Sequence, residues 1–171
     1  MENANQEEEC RTIWTALGPW WDKSVGDEGD AFHRAFLYPS IEKLLELQGG
    51  ETVLDAGCGN GALSRRIRAS GATVLGVDFS CTLLDEARRR NPDITFEEMS
   101  LTDSGQLKNL SSRHTFDRIV CSMVLHDMST LTPFYKSLKL LLNPGGSFIF
   151  TIPHPCFNSA FTKFEPHNGV T

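Results

Sequence analysis

The sequence predicts an α/β fold: a doubly wound, mainly parallel sheet with helices on both faces and a helical N-terminal segment. Three observations carry this. Short β-rich runs alternate with helical segments between residues 52 and 152. The run Val53-Leu54 passes directly into a glycine loop, Asp55-Ala56-Gly57-Cys58-Gly59-Asn60-Gly61, and then into a helix. A second apolar run, residues 73–77, also ends on a carboxylate, Asp78. Strands joined through helices must cross over, so they lie parallel and are covered on both faces.

Residues 1–30 read as irregular, with the acidic run Glu7-Glu8-Glu9 and all three tryptophans, Trp14, Trp20 and Trp21. The tryptophans read either as a plug docking this arm on the domain or as a lid over a ligand pocket. Helical spacing begins at residue 31 and runs to 47, with a break expected at Pro39. Residues 1–47 thus form an arm and helical cap, and 48–171 the core. The first strand is residues 52–54, followed by a helix over 62–70. The second strand, 73–77, leads to a helix capped by Ser80 and closed by Asn91-Pro92. A weaker third strand spans 94–97, and a short helix 107–111. The fourth strand is 116–122. Thr132 and Pro133 open a helix through residue 142. Asn143-Pro144-Gly145-Gly146 then turns into a fifth strand, 147–152. Ligands of such sheets sit beyond the carboxyl ends of the strands.

The composition narrows the function classes. With 171 residues, 40% hydrophobic and 22% charged, the chain suits one globular domain. Acids outnumber bases 22 to 16, a formal charge of -6, so no nucleic-acid partner is expected from bulk electrostatics. Arg65-Arg66-Arg68 and Arg88-Arg89-Arg90 read as solvated helix faces. No apolar run approaches the roughly 20 residues that span a bilayer, so no membrane partner is expected. Residues 1–9 are acidic, unlike a signal or transit peptide. The five cysteines are odd in number and form no CxxC pair, and His154-Pro155-Cys156 has no companion pair. Neither a disulfide framework nor a metal site is expected, and the chain reads as cytoplasmic.

The glycine loop and its carboxylate specify the ligand. Glycines allow a tight turn and close approach of a ligand to the main chain. The loop reads GxGxG rather than GxGxxG, and a fixed Asp55 would repel a pyrophosphate and attract an ammonium group. No GK[ST] follows, which excludes a Walker-type phosphate loop. Asp78 lies 21 positions after Gly57, at the end of the second strand, where a carboxylate can accept from a ribose diol. Phe79 beside it can pack on an adenine face. Taken alone, Asp78 would read as a helix N-terminal charge; with the Asp55 loop, the ribose role is favoured.

These motifs resemble those of class I S-adenosylmethionine-dependent methyltransferases, a Rossmann-like family. The likeness lies in Asp55 to Gly61, in Gly76-Val77-Asp78-Phe79-Ser80, in the stretch 116–126 ending at His126, and in Leu142-Asn143-Pro144-Gly145-Gly146-Ser147-Phe148. It is strongest to the small-molecule methyltransferases with a helical N-terminal segment. The resemblance implies a cofactor, S-adenosyl-L-methionine, and a product, S-adenosyl-L-homocysteine. It implies that Asp55, Ala56, Gly57, Cys58, Gly59 and Gly61 hold the methionine part and that Asp78 and Phe79 hold the nucleoside. Family members often carry an acid after the third strand for the adenine amino group. Ser100 stands there instead, so the adenine contact falls to Ser100 and the Leu101 main chain, or to Asp103. Cys121 would touch the cofactor through its main chain. Arg34 and Tyr38 could reach its carboxylate, although surface pairing and core packing explain them as well.

A sulfonium methyl is already activated, so transfer to a small-molecule acceptor by in-line displacement needs alignment and a dry pocket. A base is needed only for a weak nucleophile. His126 is the catalytic candidate; the plainer reading is a helix-start histidine beside a capping Asp127. Trp21, Tyr38, His126 and His154 are expected around the acceptor. The family's terminal β-hairpin has no counterpart in residues 157–171, which suggests a shortened chain with a sheet edge at which a homodimer could form. Two alternatives stay open: an NAD-dependent oxidoreductase, and a non-catalytic cofactor-binding protein.

Overall fold

The computed structural model describes residues 2–154, and side chains from Gln6 onward. Cys156 and the stretch 157–171 lie outside the described residues. The strands are β1 (Thr52–Ala56), β2 (Thr73–Asp78), β3 (Thr95–Glu98), β4 (Phe116–Ser122) and β5 (Leu142–Thr151). They form one sheet in the order β3-β2-β1-β4-β5, with every neighbouring pair parallel. The chain winds outward from β1 through β2 to β3 and then returns to β4 on the other side. Strand order therefore reverses between β1 and β4, and a crevice opens at their carboxyl ends.

The central strands β1 and β2 are buried on both faces, which is why they read as apolar runs, whereas the edge strand β3 carries Glu97 and Glu98. Val53 and Val120 pack with Ile41, Leu45, Ile67 and Leu84 on one face. Their chain neighbours Leu54 and Ile119 pack with Leu107, Leu110, Phe134 and Leu141 on the other. The helices supplying these partners are α2 (Tyr38–Leu45), α3 (Ala62–Ala69), α4 (Cys81–Arg90), α5 (Ser104–Arg113) and α6 (Thr132–Leu141). Ser80 caps α4 by accepting from the Leu83 amide, as expected.

The N-terminal expectation is corrected. Residues 2–25 are not irregular but form one helix, α1 (Glu2–Val25), with Pro19 inside it. Its inward residues include Glu7, Cys10, Trp14, Gly18, Trp21 and Val25, at spacings of three or four. Gly18 lets α1 lie close on α4: a Cβ there would stand 2.7 Å from Thr82 Oγ1. The chemical mixture of this stripe hid its period.

Three other elements differ from expectation. Pro39 does not break its helix. A π-helical turn, His33–Leu37, runs straight into α2 with the Tyr38 amide donating to the His33 carbonyl, and this wider turn just before Pro39 lets the helix continue through it. Helix α5 starts earlier, because Asp103 accepts from the Gly105 and Gln106 amides and caps it. Strand β5 begins at Leu142, ahead of the Asn-Pro-Gly-Gly stretch. Phe116 pairs with Leu142 and Arg118 with Ser147, so that stretch is a bulge inside the strand, where a proline is tolerated.

Candidate functional site

A cavity of about 410 Å³ opens at the carboxyl ends of the first four strands. That is the size range of small-ligand sites. The strand ends and the residues that follow them form the wall: Asp55 of β1 with Gly57, Cys58 and Gly59; Asp78 of β2 with Phe79; Ser100, Leu101 and Thr102 after β3; Ser122 of β4 with Met123 and Val124. Helix α1 and the π-helical turn close the opposite side with Glu7, Cys10, Trp14, Trp21, His33 and Tyr38.

The loop after β1 is shaped by close approach. Gly57 has φ 80°, and its amide donates to the Val77 carbonyl at 2.8 Å. A Cβ at Gly57 would stand 2.4 Å from a Val124 methyl. Only glycine satisfies both demands, so the main chain lies open to the cavity.

Two of the cavity's carboxylates stand on neighbouring strands, Asp55 on β1 and Asp78 on β2. Asp55 is 1% exposed, and its Oδ2 accepts from Ser64 Oγ at 2.5 Å. Burial pushes its carboxyl up to about 7; the Ser64 bond opposes this and the charge of Asp78 adds to it. Asp78 accepts from the Gly59 amide at 2.9 Å and the Ser80 amide at 2.8 Å. Burial raises its carboxyl as well, while those main-chain donors oppose the rise. Further along the wall, burial pushes the Tyr38 hydroxyl up to about 12, with Asp55 adding to the shift.

Of the residues singled out in the sequence, Asp55, Gly57, Cys58, Gly59, Asp78, Phe79, Ser100, Leu101, Trp21, Tyr38 and His126 line the cavity. Ala56 and Cys121 are fully buried behind it in the sheet, and Gly61 caps α3. His154 is exposed and lies off the described lining, although Pro153 belongs to it. Asp103 is spent on capping α5 and faces outward. Arg34 donates to the Gly29 carbonyl. His126 stands in the turn Leu125–Asp127, with Nε2 3.7 Å from Asp127 Oδ1. The arginine runs are engaged in ion pairs: Arg65 with Glu28, Arg66 with Glu42, Arg68 with Asp93, Arg88 with Asp85, Arg89 with Glu86 and Arg90 with Asp22.

Several lining groups escaped the sequence reading. The Glu7 carboxylate accepts from the Ser100 and Thr102 hydroxyls. Trp14 meets Trp21 edge-on at 5.6 Å, Trp21 meets His33 at 6.1 Å, and His33 meets Tyr38 at 5.3 Å, giving one aromatic wall. Trp20 faces outward at 63% exposure. The signal that could have found Glu7 and placed Trp14 on the wall is the three-four spacing of α1. Among the described residues, four carboxylates (Glu7, Asp55, Asp78, Asp127) and no lysine or arginine line the cavity. Such a lining favours cationic and hydrogen-bond-donating groups and disfavours phosphates.

Comparison with known proteins points to one family. A family model described as a methyltransferase domain matches residues 47–164. The ubiquinone biosynthesis O-methyltransferase of Actinobacillus pleuropneumoniae is 28% identical over 136 residues, covering 77% of this chain and 58% of that protein. The enzyme of the same name from Coxiella burnetii is 32% identical over 115 residues, covering 65% and 47%. The chain thus spans about half the length of these relatives. Among solved structures, an S-adenosylmethionine-dependent methyltransferase from Mesorhizobium loti superposes with a TM-score of 0.62 at 31% identity, covering 77% of this chain and 58% of that one. Magnesium protoporphyrin IX methyltransferase from Synechocystis shares the fold, with a TM-score of 0.63 at 23% identity over 81% and 72% of the two chains.

Proposed function

The chain belongs to the methyltransferase-domain family, of the class I S-adenosylmethionine-dependent kind, and from that premise we propose that it binds S-adenosyl-L-methionine and methylates a small molecule. The observation that carries this reading is that Asp55 and Asp78, at the tips of neighbouring strands, face one cavity without a described lysine or arginine. A sulfonium nucleoside presents an ammonium and a ribose diol, the groups two such carboxylates accept from. A dinucleotide would bring a pyrophosphate to the same acidic wall, which disfavours the oxidoreductase alternative.

Asp78 takes the ribose hydroxyls, with Phe79 beside the base. The open main chain at Gly57 and Gly59 takes the methionine part, and Asp55 its ammonium. The aromatic wall from Trp14 to Tyr38 suits a cationic centre. The cofactor supplies an activated methyl: the acceptor lone pair bonds to it, the sulfur–carbon pair returns to sulfur, and the acceptor loses a proton. His126 lies on the wall where it could take that proton. The names of the curated relatives support a small-molecule acceptor.

No helix among the described residues is long and apolar enough to cross a membrane. The free thiols of Cys10, Cys58, Cys81 and Cys121 support a reducing, cytoplasmic setting. Strand β5 is one of the two edge strands of the described sheet, and with Phe150 46% exposed it is the edge at which a homodimer contact would form.

The test is a pair of titrations, with S-adenosylhomocysteine and with NADH, followed by transfer of labelled methyl to a panel of phenols, amines and thiols. Binding of the first ligand with transfer to a panel member supports the reading. Binding of NADH instead reverses it, and cofactor binding without transfer to any acceptor favours the non-catalytic alternative.

A further inference from the structure

We infer that Glu7, from α1, is the residue that reads the adenine amino group; this rests on the cofactor reading above. With the ribose on Asp78, the base extends along the sheet toward β3. Asp78 pairs in register with Glu98, and the Met99 amide donates to the Asp78 carbonyl at 2.9 Å. The wall met next is therefore Ser100-Leu101-Thr102. The loop itself brings hydroxyls and main chain there, but no carboxylate, since Asp103 is turned away to cap α5.

The carboxylate at that wall comes from the other side of the cavity. Glu7 accepts from the hydroxyls of both Ser100 and Thr102, which hold it in place across 93 positions of chain. A carboxylate has about four lone-pair sites, so two such bonds leave acceptor capacity on a group that lines the cavity. The register of α1 that puts Glu7 there is fixed at three further points. Arg11 lies 6.0 Å over the Phe79 ring and 3.8 Å from Glu98. Gly18 seats the helix on α4. Asp22 is held by Arg90 Nη2 at 2.7 Å.

A carboxylate selects a donor and rejects an acceptor. The 6-amino group of adenine donates, whereas the 6-oxo group of hypoxanthine accepts. Glu7 thus makes α1 a specificity element for the base, in the place where the loop after β3 has only a serine.

The experiment is calorimetric titration of the full chain with S-adenosylhomocysteine and S-inosylhomocysteine, for wild type, Glu7→Ala and Glu7→Gln. Wild type should prefer the adenosyl ligand by about tenfold or more, the range of one hydrogen bond to a charged group. Glu7→Ala should lose that preference mainly through weaker adenosyl binding, and Glu7→Gln, which keeps a carbonyl acceptor, should fall in between. A preference unchanged in Glu7→Ala overturns the inference and leaves the cofactor reading standing. Failure of wild type to bind either ligand at millimolar concentration overturns both.

Discussion

Asp78 accepts the Gly59 amide hydrogen at 2.9 Å, so the carboxylate at the tip of β2 is tied to the glycine loop that follows β1. Its other oxygen accepts the Ser80 amide at the start of α4, at 2.8 Å. One bond to each oxygen fixes the plane of the carboxylate and leaves further lone pairs for a ligand diol. Two strands, a loop and a helix start thus position one side chain, which is how a site is held rigid before its ligand arrives.

The first prediction concerns Asp55. Its carboxyl is raised from 3.8 to about 7 by burial. The folded state then holds a proton that the unfolded chain releases near 3.8. The stability so contributed is complete below that value and is lost as pH rises through about 7. Between pH 5 and pH 8 the loss is about 2–3 kcal/mol. Asp55→Asn does not titrate, so its melting temperature relative to wild type should be higher at pH 8 than at pH 5. A constant difference would show that Asp55 does not titrate in this window.

The same group gives the second prediction. An ammonium bound at Asp55 favours the ionised carboxylate. Affinity for S-adenosylhomocysteine should therefore rise from pH 6 to pH 8 in wild type and stay flat in Asp55→Asn. A rise of the same size in both proteins would place its source elsewhere.

The third prediction concerns Gly57. Alanine there would adopt the left-handed region, costing about 1–2 kcal/mol, and would push on Val124, costing about 1–3 kcal/mol more. Gly57→Ala should lower the midpoint of urea unfolding by the sum. Adding Val124→Ala should recover the steric part in part, but not the backbone part. An unaltered midpoint in the single variant would mean the loop relaxes freely.

The fourth prediction tests the seating of α1. Arg90 and Asp22 are 11% and 14% exposed in their side chains, and Asp22 also accepts from Asn60 of the glycine loop at 2.9 Å. The Arg90 bond holds the Asp22 carboxyl below its usual range. That contribution is present above the ordinary carboxylate value and is lost as pH falls through the folded one. Arg90→Ala leaves the mostly buried Asp22 carboxylate without its cation and should cost about 2–4 kcal/mol. It should also weaken cofactor binding, because Glu7 and Trp14 ride on the same helix. Full stability with undiminished binding would show that α1 needs no such anchor.

The core was legible because the runs at the centre of the sheet, Val53-Leu54, Val74-Leu75 and Ile119-Val120, are apolar and buried. Val53-Leu54 and the residues around Val77 announce themselves by composition alone. Asp55 and Asp78 were legible for a related reason: a carboxylate near the end of an otherwise apolar strand stands out against the residues before it. Helix α1 was not. Its inward stripe mixes a glutamate, a cysteine, a glycine and tryptophans, and Gly18-Pro19 reads as a turn when its partner α4 is unknown. Asp103 could not be assigned from sequence either, since capping and ligand binding ask for the same residue type. Nor does sequence separate the wall of a cavity from the layer behind it, which is where Ala56 and Cys121 fall.

The most direct measurement of the central claim is the affinity of S-adenosylhomocysteine for wild type and Asp78→Asn, taken side by side by calorimetry. Asparagine keeps the size but loses the charge and one acceptor. Wild type should bind, and the variant should bind about 10–100-fold more weakly, the range expected for charged hydrogen bonds to a diol. Equal affinities for the two proteins, or no heat from wild type at millimolar ligand, would contradict the assignment of this cavity to a sulfonium nucleoside.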